Sequence, residues 1–175
     1  MRAFQTAVFG LSRLAAGLAC LIVVAMVCHI LYEIVLRTFF ASSTFVLDEF
    51  IGYGVAAATF LAIGYSFEHG SLIRVGLLIG RLEGRARRSL EVFCALATLW
   101  MTSLLGWYVG LIVWRSWSRG RVSSSIAEVP LWIPELLIFV GIAVFWLQLI
   151  AYLVRQFTNE PPPVIVETID VQRDL

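Results

Sequence analysis

The sequence is poor in charged residues and contains no lysine. Charged residues make up 14% of the 175 residues, whereas hydrophobic residues make up 60%. A soluble globular domain carries about 25% charged residues, so this composition excludes an ordinary soluble domain. All 13 basic residues are arginines, and the net charge of +1 indicates no particular class of partner. We therefore expect an integral membrane protein.

Residues that build catalytic and metal sites are also scarce. The two histidines, His29 and His69, are predicted to lie at different membrane depths, which excludes a haem held by both. Cys20, Cys28 and Cys94 fall within apolar runs without metal-ligand spacing, where cysteine acts as a small hydrophobic residue. No phosphate-binding loop, dinucleotide fingerprint, HExxH motif or catalytic triad is present. The sequence therefore predicts no enzyme, and no cofactor or metal in this chain.

Long apolar runs dominate what is present. A helix needs about 20 apolar residues to cross the hydrocarbon, and only a helix or a closed barrel satisfies its backbone there. Arg2 and Arg13 precede the first run, as in a signal peptide, but that run continues to Leu36 without a small-residue cleavage site. We expect it to be a retained helix. The predicted spans cover about 14–36, 47–67, 92–114 and 131–154.

A segment of different character lies between the second and third spans, at about 71–88. Apolar residues recur there at helical spacing and arginines occupy the other positions, which indicates an amphipathic helix in the membrane interface. Its basic side chains are suited to anionic phospholipid head groups, or to a partner subunit, rather than to nucleic acid. They are Arg74, Arg81, Arg85, Arg87 and Arg88.

These elements predict an all-α membrane fold of four transmembrane helices and one interfacial helix within residues 1–155. Residues 156–175 contain three consecutive prolines and mixed charges, and we expect a disordered cytoplasmic tail. Nine arginines flank the spans on the side of the two termini, and four on the other. The positive-inside rule therefore places both termini in the cytoplasm.

Ionisable residues cluster near the predicted outer ends of the first two spans. Glu33 and Arg37 are one helical turn apart in the order that favours an ion pair, and Asp48 and Glu49 open the second span. An ionisable group within a membrane is a functional hypothesis by default. The alternative is a structural cluster that fixes the first bend, and the position close to the interface favours it.

Small residues in two spans predict close helix packing. The second span contains two pairs of small residues spaced four apart, Gly52 with Ala56 and Gly54 with Ala58, and the third span contains Gly106 and Gly110; this spacing is typical of helix pairs that approach closely.

Aromatic residues and prolines mark the third and fourth spans. Trp100, Trp107 and Trp114 are seven residues apart and share one side, which predicts a ridge facing lipid or a partner. At the start of the fourth span, Trp132 suits the aromatic belt and Pro134 is tolerated in the first helical turn.

Three segments in order resemble the small membrane subunit of tripartite ATP-independent periplasmic (TRAP) transporters. They are the arginine-aromatic segment 37–40 leading to Asp48-Glu49, the segment 70–75 after Gly64, and the segment 129–134 followed by Gly141. Together with the four spans, the resemblance covers about residues 14 to 155. The family pattern usually has tryptophan, histidine and aspartate where this sequence has Val46, Leu72 and Gly76.

The resemblance implies a non-catalytic scaffold in a bacterial inner membrane. In that family a large membrane subunit holds the substrate and sodium sites and moves them by an elevator motion, while a periplasmic binding protein delivers a small organic acid. Glu33, Arg37, Asp48 and Glu49 would then order the outer rim, together with Trp132 and Pro134. The arginines of the interfacial helix would meet phospholipid or the large subunit.

Two other functions remain open from the sequence. A small proton-coupled exporter would use Glu33 as its titrating carboxylate. A membrane anchor of a respiratory enzyme would need haem-ligand histidines at matching depths or a quinone pocket.

Overall fold

The computed structural model describes residues 2–69 and 84–158. These residues form four long helices and no strand: α1 (Arg2–Phe40), α2 (Leu47–Glu68), α3 (Gly84–Ser118) and α4 (Trp132–Thr158). Each helix is long and apolar enough to cross a membrane. The predicted all-α membrane fold with four spans is therefore confirmed.

Two helices are longer than the membrane is thick. α1 has 39 residues and α3 has 35, so at 1.5 Å per residue they measure about 58 and 52 Å against a hydrocarbon thickness of about 30 Å. Both begin several residues before the predicted spans, because hydropathy marks only the part buried in lipid. Helical structure continues into the polar flank.

Most of the predicted interfacial helix lies outside the described residues. Arg74 and Arg81 belong to that part, as does the tail from 159 onward. Residues 84–88, which we assigned to the end of the interfacial helix, form the start of α3 instead. Arg85, Arg87 and Arg88 therefore belong to the same continuous helix as the third span.

The bundle is built around α2 and α4. α2 packs against both α1 and α4, and α3 packs principally against α4. The buried core consists largely of small side chains. In a bilayer the hydrophobic effect does not drive helices together, and small side chains let them approach closely enough for van der Waals packing. The members of the core are Ala15, Ala19, Ala58, Leu61 and Val144.

Two helices approach each other closely at Gly141 of α4. A Cβ atom there would lie 2.5 Å from the carbonyl carbon of Phe60 and 2.8 Å from the backbone nitrogen of Leu61. The neighbouring atoms are backbone atoms of α2, which cannot rotate aside. Only glycine allows this contact between α2 and α4.

The glycines of α3 also face α4. A Cβ at Gly110 would lie 3.2 Å from the ring of Phe139, and one at Gly106 would lie 3.4 Å from Ile142.

Gly52 was predicted to pack closely against another helix, but a Cβ there would meet nothing within 4 Å among the described residues. Ala56, its partner in the predicted pair, is half-buried. The helix contact is made by the other predicted pair: Ala58 is buried, and a Cβ at Gly54 would lie 2.5 Å from the sulfur of Met26 in α1. A step of two residues corresponds to a turn of about 200° around the helix axis, so Gly52 and Gly54 lie on opposite sides of α2.

Candidate functional site

Polar side chains concentrate at the two ends of the bundle. We call the end with the 41–46 bend and the 119–131 connection the loop end. The opposite end, where α2 ends at Glu68 and α4 ends at Thr158, is the tail end.

The centre of the loop end is the carboxylate of Glu33, which is 1% exposed. Oε1 accepts hydrogen bonds from Arg37 Nε, at 2.9 Å, and from the Ser43 hydroxyl. Oε2 accepts from the Thr44 backbone nitrogen at 3.1 Å and from its hydroxyl at 2.7 Å. A buried charge is tolerated when it is paired and hydrogen-bonded, and this one has four donors.

These bonds stabilise a strained bend. Ala41 and Phe45 have φ angles of 46° and 58°, a left-handed conformation that costs non-glycine residues about 1–2 kcal/mol each. The two strained residues flank Ser43 and Thr44, which are bonded to Glu33. The carboxylate therefore offsets the strain of the turn that joins α1 to α2.

The sequence predicted part of this arrangement. Glu33 and Arg37 form the expected i, i+4 ion pair. The role of Ser43 and Thr44 was not predicted, although short hydroxyl side chains in a tight bend are typical partners for a nearby carboxylate.

Glu49 belongs to a separate cluster. The Tyr53 hydroxyl donates to Glu49 Oε1 at 2.5 Å, and the hydroxyls of Ser123 and Ser125 lie beside the same carboxylate. Glu49 thus links α2 to the connection between α3 and α4. Asp48, in contrast, is exposed in the first turn of α2, where a negative charge suits the helix N-terminus.

The start of α4 is fixed by apolar contacts. The rings of Trp117 and Trp132 pack edge to face, with centroids 4.7 Å apart. Pro134 lies buried in the first turn. Trp132 therefore packs against the end of α3, and Pro134 lines a cavity between α1, α2 and the start of α4.

A cavity of about 290 Å³ lies near the loop end between α1, α2 and the start of α4. Its lining is apolar apart from His29 and Tyr53, and includes Met26, Phe50 and Pro134. Among the described residues, no arginine lines it. The apolar lining of the cavity is suited to a hydrocarbon group.

The tail end contains a buried ion pair that the sequence analysis missed. Arg155 of α4 donates to both oxygens of Glu68 at the end of α2, at 2.5 and 3.3 Å. The side chains are 12% and 3% exposed. The only signal in the sequence was an acid and a base at span ends on the same predicted side of the membrane.

The two histidines lie at opposite ends, as predicted. The His69 ring stacks on Tyr65 at 3.9 Å and contacts Phe9 of α1 at 5.8 Å between centroids. His29 contacts Phe50 at 5.7 Å. Phe9 and His29 are 20 residues apart on α1, which is about 30 Å of helix. One haem cannot bridge that distance.

Chemically, these clusters join helices. The two fully buried acidic residues of the described helices, Glu33 and Glu68, are paired with arginines within the chain, whereas Glu49 and Glu135 each have one buried carboxylate oxygen without a hydrogen-bond partner. The described part of the chain contains no group of three or more acidic, histidine or cysteine side chains that could hold a metal ion.

Comparison with known proteins identifies a family. Residues 26–159 match the family model described as "Tripartite ATP-independent periplasmic transporters, DctQ component". The match begins in the second half of α1 and extends past the end of α4. No curated protein and no solved structure matches the chain.

Proposed function

Because the chain belongs to the DctQ component family of tripartite ATP-independent periplasmic transporters, we propose that it is a non-catalytic scaffold subunit. It is a multi-pass inner-membrane component of such a transporter. In our proposal it braces a large membrane subunit, which carries the substrate and sodium sites and moves them. The transporter imports a small organic acid that a periplasmic binding protein delivers.

The pairing of the buried charges is the observation that carries this proposal. A carrier needs an ionisable group that substrate or protons can reach from both sides. Glu33 is surrounded by donors of its own chain, and Glu68 accepts hydrogen bonds from the two terminal guanidinium nitrogens of Arg155. Each charge holds two segments together, which is the role expected of a rigid brace.

The cavity supports the same proposal. A small organic acid in a membrane site requires cationic or multiple hydrogen-bonding partners to replace its hydration. The lining near His29 and Tyr53 is almost wholly apolar. Substrate binding, and with it the sodium sites, therefore belongs to the large subunit in our proposal.

Orientation completes the proposal. With both termini in the cytoplasm, the loop end faces the periplasm, where the large subunit or the binding protein can dock. Glu33, Arg37, Asp48 and Glu49 order that rim. At the cytoplasmic side, Arg74, Arg81, Arg85, Arg87 and Arg88 meet phospholipid head groups or the large subunit.

Reconstitution tests the proposal. The chain in liposomes alone should transport nothing, and adding the large subunit and binding protein of the same transporter should give sodium-driven uptake. Arg37→Ala with Glu49→Ala should lower assembly or uptake and leave the substrate affinity of the binding protein unchanged. Arg119→Ala, on the exposed connection, is the control. Solute movement by the chain alone would overturn the proposal, as would failure of the large subunit to copurify.

A further inference from the structure

Four aromatic side chains form one row along α3, which we call the aromatic ridge. Phe93, Trp100, Trp107 and Trp114 follow one another at seven-residue steps and are 67–69% exposed. Seven residues are nearly two helical turns, so the four rings lie on one side of the helix. The row is about 31 Å long, which matches the thickness of the hydrocarbon.

The ridge points away from the rest of the bundle. On α3, Ala95 and Thr102 are buried, and Gly106 faces Ile142 of α4. The ridge lies on the other side of the helix, and α3 packs principally against α4. Within the part of the chain that the structure describes, nothing covers these four rings.

Two of the rings lie near the middle of the membrane. Between Trp100 and Trp107, Ser103 contacts Trp146 and Gly106 faces Ile142, both near the midpoint of the α4 span. Trp100 and Trp107 are therefore each within about 5–7 Å of the bilayer centre. Tryptophan facing lipid is typical of the interfaces instead, where its N–H reaches water or head groups.

The indole N–H groups mark the difference between lipid and protein surroundings. Trp146, also inside the span, donates its N–H to Ser103 Oγ at 2.8 Å. Among the described residues, Trp100 and Trp107 have no such acceptor. Lipid hydrocarbon offers none, and an unsatisfied donor there is costly. A protein surface with a hydroxyl or carbonyl oxygen removes that cost.

The exposed face of α1 provides the contrast. At corresponding depths it presents mainly aliphatic side chains, among them Leu14, Leu21, Val24 and Leu31, all more than half exposed, with Cys20 and Cys28 between them. The aliphatic side chains contain no polar atom and are fully compatible with lipid tails. The bundle thus has one face that suits lipid and one face with donors at mid-depth.

We propose that the aromatic ridge is the surface on which a transmembrane helix of the large subunit packs. This inference rests on the proposed function, which supplies the partner. Rings at seven-residue steps act as knobs, so the facing helix should carry small residues as holes and cross at about 20°. It should also offer oxygen acceptors opposite Trp100 and Trp107.

Photo-crosslinking in membranes tests this assignment. A benzoylphenylalanine replaces Trp107 in one variant and Leu21 of α1 in another, and each is co-expressed with the large subunit of the same transporter. We expect a crosslinked product with the mass of both subunits from position 107, and lipid adducts only from position 21. Lipid adducts only from position 107, or a product of two copies of this chain, would overturn the assignment.

Copurification gives an independent measure. Trp100→Leu with Trp107→Leu keeps the face apolar, so the helix still inserts, but removes both rings and donors. The recovered large subunit should fall at least about tenfold, as for central interface tryptophans. The control Leu14→Ala with Leu21→Ala should leave it unchanged, and unchanged recovery with the tryptophan variant would refute the ridge.

The outcomes also separate this inference from the proposed function. If the large subunit copurifies with the native chain but crosslinks from position 21 and not from 107, only the surface assignment fails. If it does not copurify with the native chain, both fail.

Discussion

Replacing Gly141 with alanine should destabilise the bundle although it adds a single methyl group. That carbon would lie 2.5 Å from the Phe60 carbonyl carbon and 2.7 Å from its oxygen. Comfortable carbon contacts need about 3.5 Å, so α2 and α4 would have to move apart by roughly 1 Å. The atoms in the way are backbone atoms, which makes a local adjustment impossible.

The expected cost can be bounded from this geometry. Overpacking a close-packed interior costs about 1–3 kcal/mol. Separation also loosens the layer around Leu61 and Val144, which are 1% and 3% exposed. Alanine gains back up to about 1 kcal/mol in helix propensity. Because this gain offsets part of the overpacking cost, we expect Gly141→Ala to lower the free energy of unfolding by up to about 2 kcal/mol.

Gly52→Ala is the matched control. It is the same chemical change in a neighbouring helix, but the new methyl group would meet nothing within 4 Å. Only the propensity gain remains, so its stability should be unchanged or higher by up to about 1 kcal/mol. The two substitutions are expected to differ in sign.

The assay is reversible unfolding of the purified chain in mixed micelles, titrated with a denaturing detergent and followed by tryptophan fluorescence. If Gly141→Ala is as stable as Gly52→Ala, the close approach of α2 and α4 does not hold the bundle together, and the argument is wrong.

Three further predictions concern the ends of the bundle. Glu68→Leu or Arg155→Leu alone should each lower the free energy of unfolding by about 3–5 kcal/mol, because each leaves a buried charge without its partner. In the same assay the double variant should lose clearly less than the sum of the two single variants; additive losses would show that the pair is not coupled. Ala41→Gly should stabilise the chain by up to about 1 kcal/mol, because glycine adopts the φ of 46° without strain; a loss of stability would contradict that account. Glu33→Gln should speed proteolytic cleavage within the 41–46 bend while exposed Asp48→Asn does not, and equal cleavage would remove the assigned role of Glu33.

The site could be predicted from sequence only where its contacts are local. Glu33 and Arg37 are four residues apart on one helix, so their pairing follows from helical geometry alone. Glu68 and Arg155 are 87 residues apart and meet only because α2 and α4 pack side by side. Glu49 likewise reaches Ser123 and Ser125 through the placement of a distant connection.

The sequence by itself determined the class of protein, the number of spans and their approximate limits, because length and hydropathy must match the thickness of a bilayer. It did not determine which side of each helix faces inward. Lipid and protein interior are both apolar, so hydropathy carries no signal for helix rotation. That rotation placed Gly54 and Gly141, rather than Gly52, at close contacts. Only the tertiary structure decided it, because it depends on how four apolar surfaces fit together.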